Sequence, residues 1–519
     1  MIGREAQVSF EVTREAASRG DPEAQATVGL GYLSGRGAPL DVAEGVRWLK
    51  LAAAQGHRVA QRMMGTLYWR GEGVARDLPV AMRWLEAAAE NGDIEAAYLF
   101  GSACLGDGGA PKRPAQAERW LRTASESGHR RAQLALGKSY RVGNGLPKDA
   151  AKARQWLERA AAAGEAKAQF ALGEMNEAGE GGAESPSQAA HWYRQAAEAN
   201  IQAAQIRLAR LYAAGLGVRQ SPDAARQWLE RAAANGSVEA QFELGQMYQR
   251  GQVGPVDFLK AREWFEKAAE QEHAEAEFIL GSLHVFGQAG VEQDDILAIK
   301  WFERSSAHGH HRATYQIGVA YRSGAGGLPE DMNLAIAKFR QAADGGYAPA
   351  MTALYKALKA SDGGRLAMAD ARRWLEKAAQ SGEPEAQAAL GLSLLSGEAG
   401  RSDFGAGRQW VEQAASQGHP SGLFALGVAH RDGLAGPRQP AEARKCFEAA
   451  AKAGHADSMV AYAKVLNDGT GGPKSPEAAR QWLQAAAEAG NVEAGRIIAT
   501  LAAAGARAGT LYADTDVEK

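Results

Sequence analysis

Cysteine is almost missing from this chain. Cys104 and Cys446 are the only two in 519 residues, and they stand far apart, which excludes a disulfide framework and a cysteine-built metal site. A surplus of charge of either sign is lacking too. The 59 basic and 61 acidic residues leave a formal net charge of −2, so no overall field draws the chain to nucleic acid or to an anionic membrane. No nucleic-acid partner is expected, and the mild difference in charge between the two halves points to no other partner.

Long apolar runs are also missing. None approaches the roughly 18 residues a membrane span needs, and Arg4, Glu5, Glu11, Arg14 and Glu15 break up any apolar leader core at the start. No direct membrane insertion is expected. The expected location is the cytoplasm, with the periplasm as the alternative for a form trimmed of its leader. Catalytic signatures are lacking as well: there is no Gly-x-Ser-x-Gly, no His-Glu-x-x-His and no Cys-His arrangement. The chain is expected to be no enzyme and to need no cofactor or metal.

What the chain does hold is a period. Trp48, Trp84, Trp120, Trp156, Trp192, Trp228 and Trp264 stand 36 residues apart, and Trp301 follows after 37. Trp374, Trp410 and Trp482 keep the phase, Lys338 and Cys446 fill the two gaps, and Val12 holds the place before Trp48. That makes fourteen copies over residues 1–505. Such a period marks a solenoid, in which each unit buries its apolar face only against its neighbours. The tail from residue 506 to 519 has no apolar periodicity and is expected to be disordered.

Each copy reads as two helices. In the first, Ala153, Trp156, Leu157, Ala160 and Ala161 form one apolar stripe, and Gly164 ends it in the left-handed conformation. Glycine recurs at that place, with Asn200 and Glu272 as exceptions; asparagine tolerates the conformation, so Glu272 is expected to need another ending. In the second helix, Ala168, Leu172, Met175 and Asn176 share a side, and most copies put tyrosine last, as at Tyr140. A glycine recurs inside this helix, Gly137 for example, although it costs about 1 kcal/mol against alanine there. The expected gain is room for a large neighbour, the tryptophan of an adjoining first helix. The glycine-rich loops that follow read as turns, since no strand precedes them to make a phosphate cradle. Ser185-Pro186, Ser221-Pro222 and Ser475-Pro476 read as helix starts, with Gln188 completing a capping box.

This pattern resembles the Sel1-like repeat, through Ala132, Leu136, Gly137, Tyr140, Gly143, Gly145, Ala153, Trp156, Ala160, Ala161 and Gly164. The resemblance covers almost the whole chain. It implies an all-α, right-handed superhelical solenoid of two-helix, tetratricopeptide-like repeats. It further implies a scaffold or adaptor that binds partner proteins on its concave face, as in many bacterial signalling, secretion and envelope systems. The alternative is an envelope scaffold or binder serving exopolysaccharide assembly or secretion. Cysteine-rich members carry paired cysteines in each repeat, and this chain departs from them.

Candidate site residues follow. Arg154, Arg226, Arg262, Arg372, Arg408 and Arg444 each precede a glutamate by four residues on the first helix. One reading is a solvated face with ion pairs of about 0.2–0.5 kcal/mol each. The other is that these arginines face the concave surface, as the resemblance implies, and take a carboxylate-bearing partner in bidentate fashion. Trp69 is the one tryptophan out of phase and is expected to be exposed, as binding hot spots often are. His57, His129, His273, His310, His419 and His455 recur beside the cap glycine and read as turn residues, because packed helices about 10 Å apart cannot bring them onto one zinc. The unit 334–365 breaks the rhythm, with Lys338 for tryptophan and Tyr355 for the helix glycine, and is a candidate hinge.

Overall fold

The computed structural model describes residues 2–252, 255–361, 364–397, 403–434 and 436–501. The tail 506–519, and Asp362 and Gly363 of the candidate hinge, lie outside the described residues. Among those described there are helices and turns and no strand. Most helices are 13 residues long, as in Arg130–Val142 and Ala150–Ala162.

The ends of the helices are set by local chemistry. Gly164 sits at φ +81°; its N–H donates to the Ala161 carbonyl and that of Glu165 to Ala160, both at 3.0 Å. This pair of bonds satisfies carbonyls that a helix terminus otherwise leaves orphaned. Glu272 corrects the expectation of a different ending. It adopts φ +64° and repeats the motif, with Glu272 N–H on the Ala269 carbonyl at 3.1 Å and His273 N–H on Ala268 at 3.2 Å. Two backbone bonds hold a residue whose Cβ disfavours that region.

First helices open on an N-cap. Asp149 accepts from the Lys152 N–H at 2.9 Å, while its own N–H donates to the Tyr140 carbonyl at 2.9 Å. The tyrosine at the end of one helix is thereby tied to the start of the next. Ser185 and Ser221 cap through their hydroxyls, whereas Ser475 occupies the N-cap without a side-chain bond.

The expected stripes are the core: Trp156 is 9% exposed, Ala161 3%, and Ala153, Leu157, Ala160, Ala168, Leu172 and Met175 are fully buried. The helix glycine, however, does not admit the tryptophan. A Cβ at Gly137 would lie 2.7 Å from Cγ of Leu157 and 3.2 Å from the Ala153 carbonyl. Its counterparts Gly65 and Gly101 meet Leu85 and Leu121, and Gly281 and Gly427 meet Phe302 and Phe447. The neighbour is thus the residue after the tryptophan, which points at the preceding helix, while the indole is turned about 100° away around the axis.

Contacts divide the chain into residues 1–264 and 265–519, the boundary falling inside the helix Phe258–Glu270. In the first unit each helix packs on the next from Ile2–Ser18 to Val238–Gln249, and one apolar cluster runs from Met82 to Met175. In the second, the series runs from Ala274–Phe286 to Pro476–Glu488. There Phe339, next to Lys338, is fully buried and seated on Gly318, and Tyr355 lies half-buried against the cluster that includes Leu375.

Candidate partner-binding surface

The arginines of the first helices divide into two kinds. Arg226, Arg372 and Arg408 keep the helical pairing, with nitrogen–oxygen distances of 3.5 Å to Glu230, 2.9 Å to Glu376 and 2.7 Å to Glu412. Each is at least a third exposed. Arg226 also donates to Asp223 at 3.2 Å, which with Glu230 strengthens its hold on the proton.

Arg154 and Arg444 turn to the backbone instead. Arg154 donates to Asn176 Oδ1 and to the Glu180 carbonyl, both at 3.0 Å, and Arg444 donates to the Pro473 carbonyl at 2.9 Å. Neither makes the expected pair with Glu158 or Glu448; Glu448 is taken by Lys452 at 2.7 Å. A loop carbonyl without a helical partner is the stronger attraction for a half-buried guanidinium, because leaving it unpaired costs more than an exposed ion pair returns. The glycine next to the loop carbonyl permits the approach: a Cβ at Gly472 would stand 2.6 Å from Arg444 Nη1. Arg262 is half-buried at the corresponding place in Phe258–Glu270.

Trp69 is not the exposed residue expected. Its indole is half-buried, packed against the neighbouring apolar cluster and seated on Gly108, where a Cβ would find no room. Arg76 closes the arrangement by donating to the Trp69 carbonyl at 3.2 Å and to the Gly108 carbonyl at 3.1 Å. The copy holding Gly108 has a short 3-10 turn, Asp107–Gly109, where others have the usual loop, and that turn covers the ring.

The histidines beside the cap glycine turn out to be N-caps. His57, His129, His273 and His310 accept through Nδ1 from the N–H three residues on, at 3.1–3.3 Å. With Nδ1 an acceptor, Nε2 carries the proton and donates to a glutamate of the preceding copy: His57 to Glu23 at 2.9 Å, His129 to Glu95 at 2.8 Å, His310 to Glu275 at 2.7 Å. Sequence reasoning placed the histidines but missed their partners. It also missed a buried glutamine in the second helix, which bonds the carbonyl eight residues back: Gln133 to Ser125, Gln205 to Ala197, Gln387 to Ala379, at 3.0–3.1 Å. The recurrence of glutamine after the repeat alanine was the available signal.

Cys104 is buried and Cys446 half-buried. Burial pushes the Cys104 thiol up to about 11 and raises that of Cys446, which keeps both protonated and poor as nucleophiles. Among the described residues no group of three or more His, Cys, Asp or Glu could hold a metal ion, and no helix is long and apolar enough to cross a membrane.

The Sel1 repeat matches this chain thirteen times between residues 22 and 491, each full match opening on a second helix and closing after the next first helix, as in 130–165. The chain belongs to the Sel1 repeat family. The thirteen matches correct the count of fourteen. The copy before Pro22 is not matched, and residues 348–367, where Tyr355 replaces the glycine, are passed over before a short match at 368–383. Among solved structures, the Sel1 repeat chain is similar to c5321, a protective antigen of uropathogenic Escherichia coli strains with an SLR fold. The identity is 27% and the TM-score 0.61, over 92% of this chain and 96% of that one. It is also similar to a Sel1 repeat protein from Oxalobacter formigenes, at 28% identity and TM-score 0.54, over 60% of this chain and 90% of that one. A search of the curated proteins returned no match.

Proposed function

We propose that this Sel1 repeat protein is a non-enzymatic scaffold that binds one or more partner proteins along the surface of its first helices. The observation that carries this reading is the repeated presentation of Arg372 and Arg408 at the same turn of neighbouring first helices, each exposed and each held by a glutamate four residues on. A carboxylate on a partner would compete with that glutamate for the guanidinium, whose planar fork of N–H donors suits a carboxylate. The even spacing of the repeats supports the non-catalytic part, since it leaves no inserted segment to house an active site.

The proposed location is the cytoplasm. A second reading places the protein in the envelope as a scaffold or binder for exopolysaccharide assembly or secretion, and what favours it is the likeness to c5321, a protein described as a protective antigen. Fractionation of the native host separates the two. Affinity capture of the wild-type chain, followed by mass spectrometry, tests the scaffold itself: the expected result is a partner lost from the Arg372→Glu, Arg408→Glu double variant. Equal capture by both chains would move the binding surface elsewhere, and no partner in any fraction would remove the reading.

A further inference from the structure

Trp69 is covered by the next copy's loop, and the same place two and four copies on is filled differently. Trp69, Arg141 and Ala213 stand 72 residues apart, and so do Gly108, Glu180 and Gln252 in the loops that face them. The Trp69 indole is seated on Gly108. The Arg141 guanidinium reaches the next second helix and its loop, donating to Glu174 and to Glu180, both at 2.7 Å. In the copy between these two, Leu105 is buried and closes on Gly145. Ala213 is too short to do any of this. Between Gln202–Ala214 and Val238–Gln249 there is accordingly a recess of about 290 Å³.

The lining of the recess is divided. Ala209, Leu229 and Met247, all buried, make an apolar floor with Ala213. In the wall, Glu243 is tied to Arg210, which donates to it at 2.8 Å and to Glu239 at 2.6 Å. Gln246 and Gln252 add uncharged polar groups. Arg250, the C-cap of Val238–Gln249, is exposed, and its side chain makes no hydrogen bond or ion pair among the described residues. A cationic occupant would lie against Arg210 and Arg250, and an anionic one against Glu243. A neutral ring leaves the Arg210–Glu243 pair intact, covers the apolar floor and offers its face to Arg250. The chain makes that last contact elsewhere: Arg131 lies 4.9 Å over Tyr98, and Arg159 4.6 Å over Trp156. An apolar cavity of about 150 Å³ accepts benzene, so the recess has room for an indole.

We propose that this recess takes a tryptophan side chain of a partner protein, in the way that Trp69 fills the corresponding place within the chain. The ring would sit on Leu229 and Met247 under the Arg250 guanidinium. Tryptophan desolvated in a pocket is the kind of anchor that dominates interface energies. The proposal rests on the reading of the chain as a protein-binding scaffold, and adds an anchor within residues 1–264, apart from Arg372 and Arg408.

The test titrates N-acetyl-5-fluorotryptophanamide, a tryptophan side chain between two neutral amides, into the full-length protein. Fluorine NMR follows the probe, so the chain's own 12 tryptophans do not interfere. The expected result is saturable binding with a Kd of about 1 mM or tighter, with no displacement by N-acetylalaninamide. Ala213→Trp plugs the recess as Trp69 does, and the Ala213→Arg, Gln252→Glu double variant plugs it as Arg141 and Glu180 do. Each, shown to be folded by circular dichroism, should weaken the probe at least tenfold. Arg250→Ala should weaken it about threefold, and Arg408→Ala should leave it unchanged. Plugged variants within twofold of wild type overturn the proposal, and so does a wild-type chain that does not bind. Free indole binding at least tenfold more tightly than the probe would make this a small-molecule site, and the proposal falls. The capture result for the Arg372→Glu, Arg408→Glu variant is independent of all these outcomes, so the scaffold reading and the recess fail separately.

Discussion

Gly137 faces Leu157 so closely that a Cβ on the glycine would lie 2.7 Å from the leucine Cγ. Helix propensity alone says that Gly137→Ala should stabilise its helix by about 1 kcal/mol. The contact says the reverse, because overpacking a filled core costs about 1–3 kcal/mol. The expected outcome is a lower melting temperature for Gly137→Ala, and a Gly137→Ala, Leu157→Ala double variant that loses less than the two single changes together. A rise in melting temperature for Gly137→Ala would mean that the interface gives way without cost.

The two kinds of arginine predict opposite results. Arg154→Ala unties Asn176 and the Glu180 carbonyl, so hydrogen exchange in residues 178–185 should quicken and stability should fall by about 1–3 kcal/mol. Arg408→Ala breaks an exposed pair with Glu412, itself worth less than about 0.5 kcal/mol, and should cost less than Arg154→Ala. Equal effects would dissolve the division.

Acid should loosen the array in two steps. Burial lowers the pKa of His455, in surroundings that include Asp457, Glu385, His419 and Lys356. Its neutral form is favoured by folding, so its contribution is full above its ordinary value of 6.5 and is lost as pH falls through the lower folded value. The hydrogen bond from His310 holds Glu275 below its ordinary 4.5, against burial. That contribution is full above 4.5 and disappears as pH falls through the depressed value. Melting temperature measured from pH 7.5 to 3.5 should therefore decline first below 6.5 and again below 4.5, the early decline flattening in His455→Ala and the late one in Glu275→Gln. Unchanged profiles in both variants would remove these groups from the account.

The solenoid was legible because tryptophan and glycine recur in phase, and because Ala153, Leu157 and Ala160 fall on one stripe. What the glycine faces was not legible, since Trp156 and Leu157 are adjacent in sequence and only the helix rotation decides between them. Trp69 read as exposed because its cover is a loop about forty residues away whose 3-10 turn, among the described residues, belongs to one copy. Glu95 and His129 stand 34 residues apart, and no local pattern couples them. The direction of Arg154 depended on a loop carbonyl that only the folded backbone brings near.

The proposed hinge within 334–365 takes a narrower form once the glycine's neighbour is known. Phe339 is buried on Gly318 as its counterparts are, so Lys338 in the tryptophan place leaves that contact intact. Tyr355 is different, because a full side chain stands where other copies let two backbones approach. Amide exchange should therefore be faster in Ala348–Ala360 than in Met332–Asp344. Equal protection in the two helices would argue for a copy that packs like the rest.

The central claim is that each repeat is held by its neighbours alone, and it meets its most direct test in a chain ended after Gly236. Circular dichroism per residue should stay as helical as in the full chain, with a lower melting temperature, because few contacts reach beyond the next copy. Loss of the helical signal on such a cut would contradict the account.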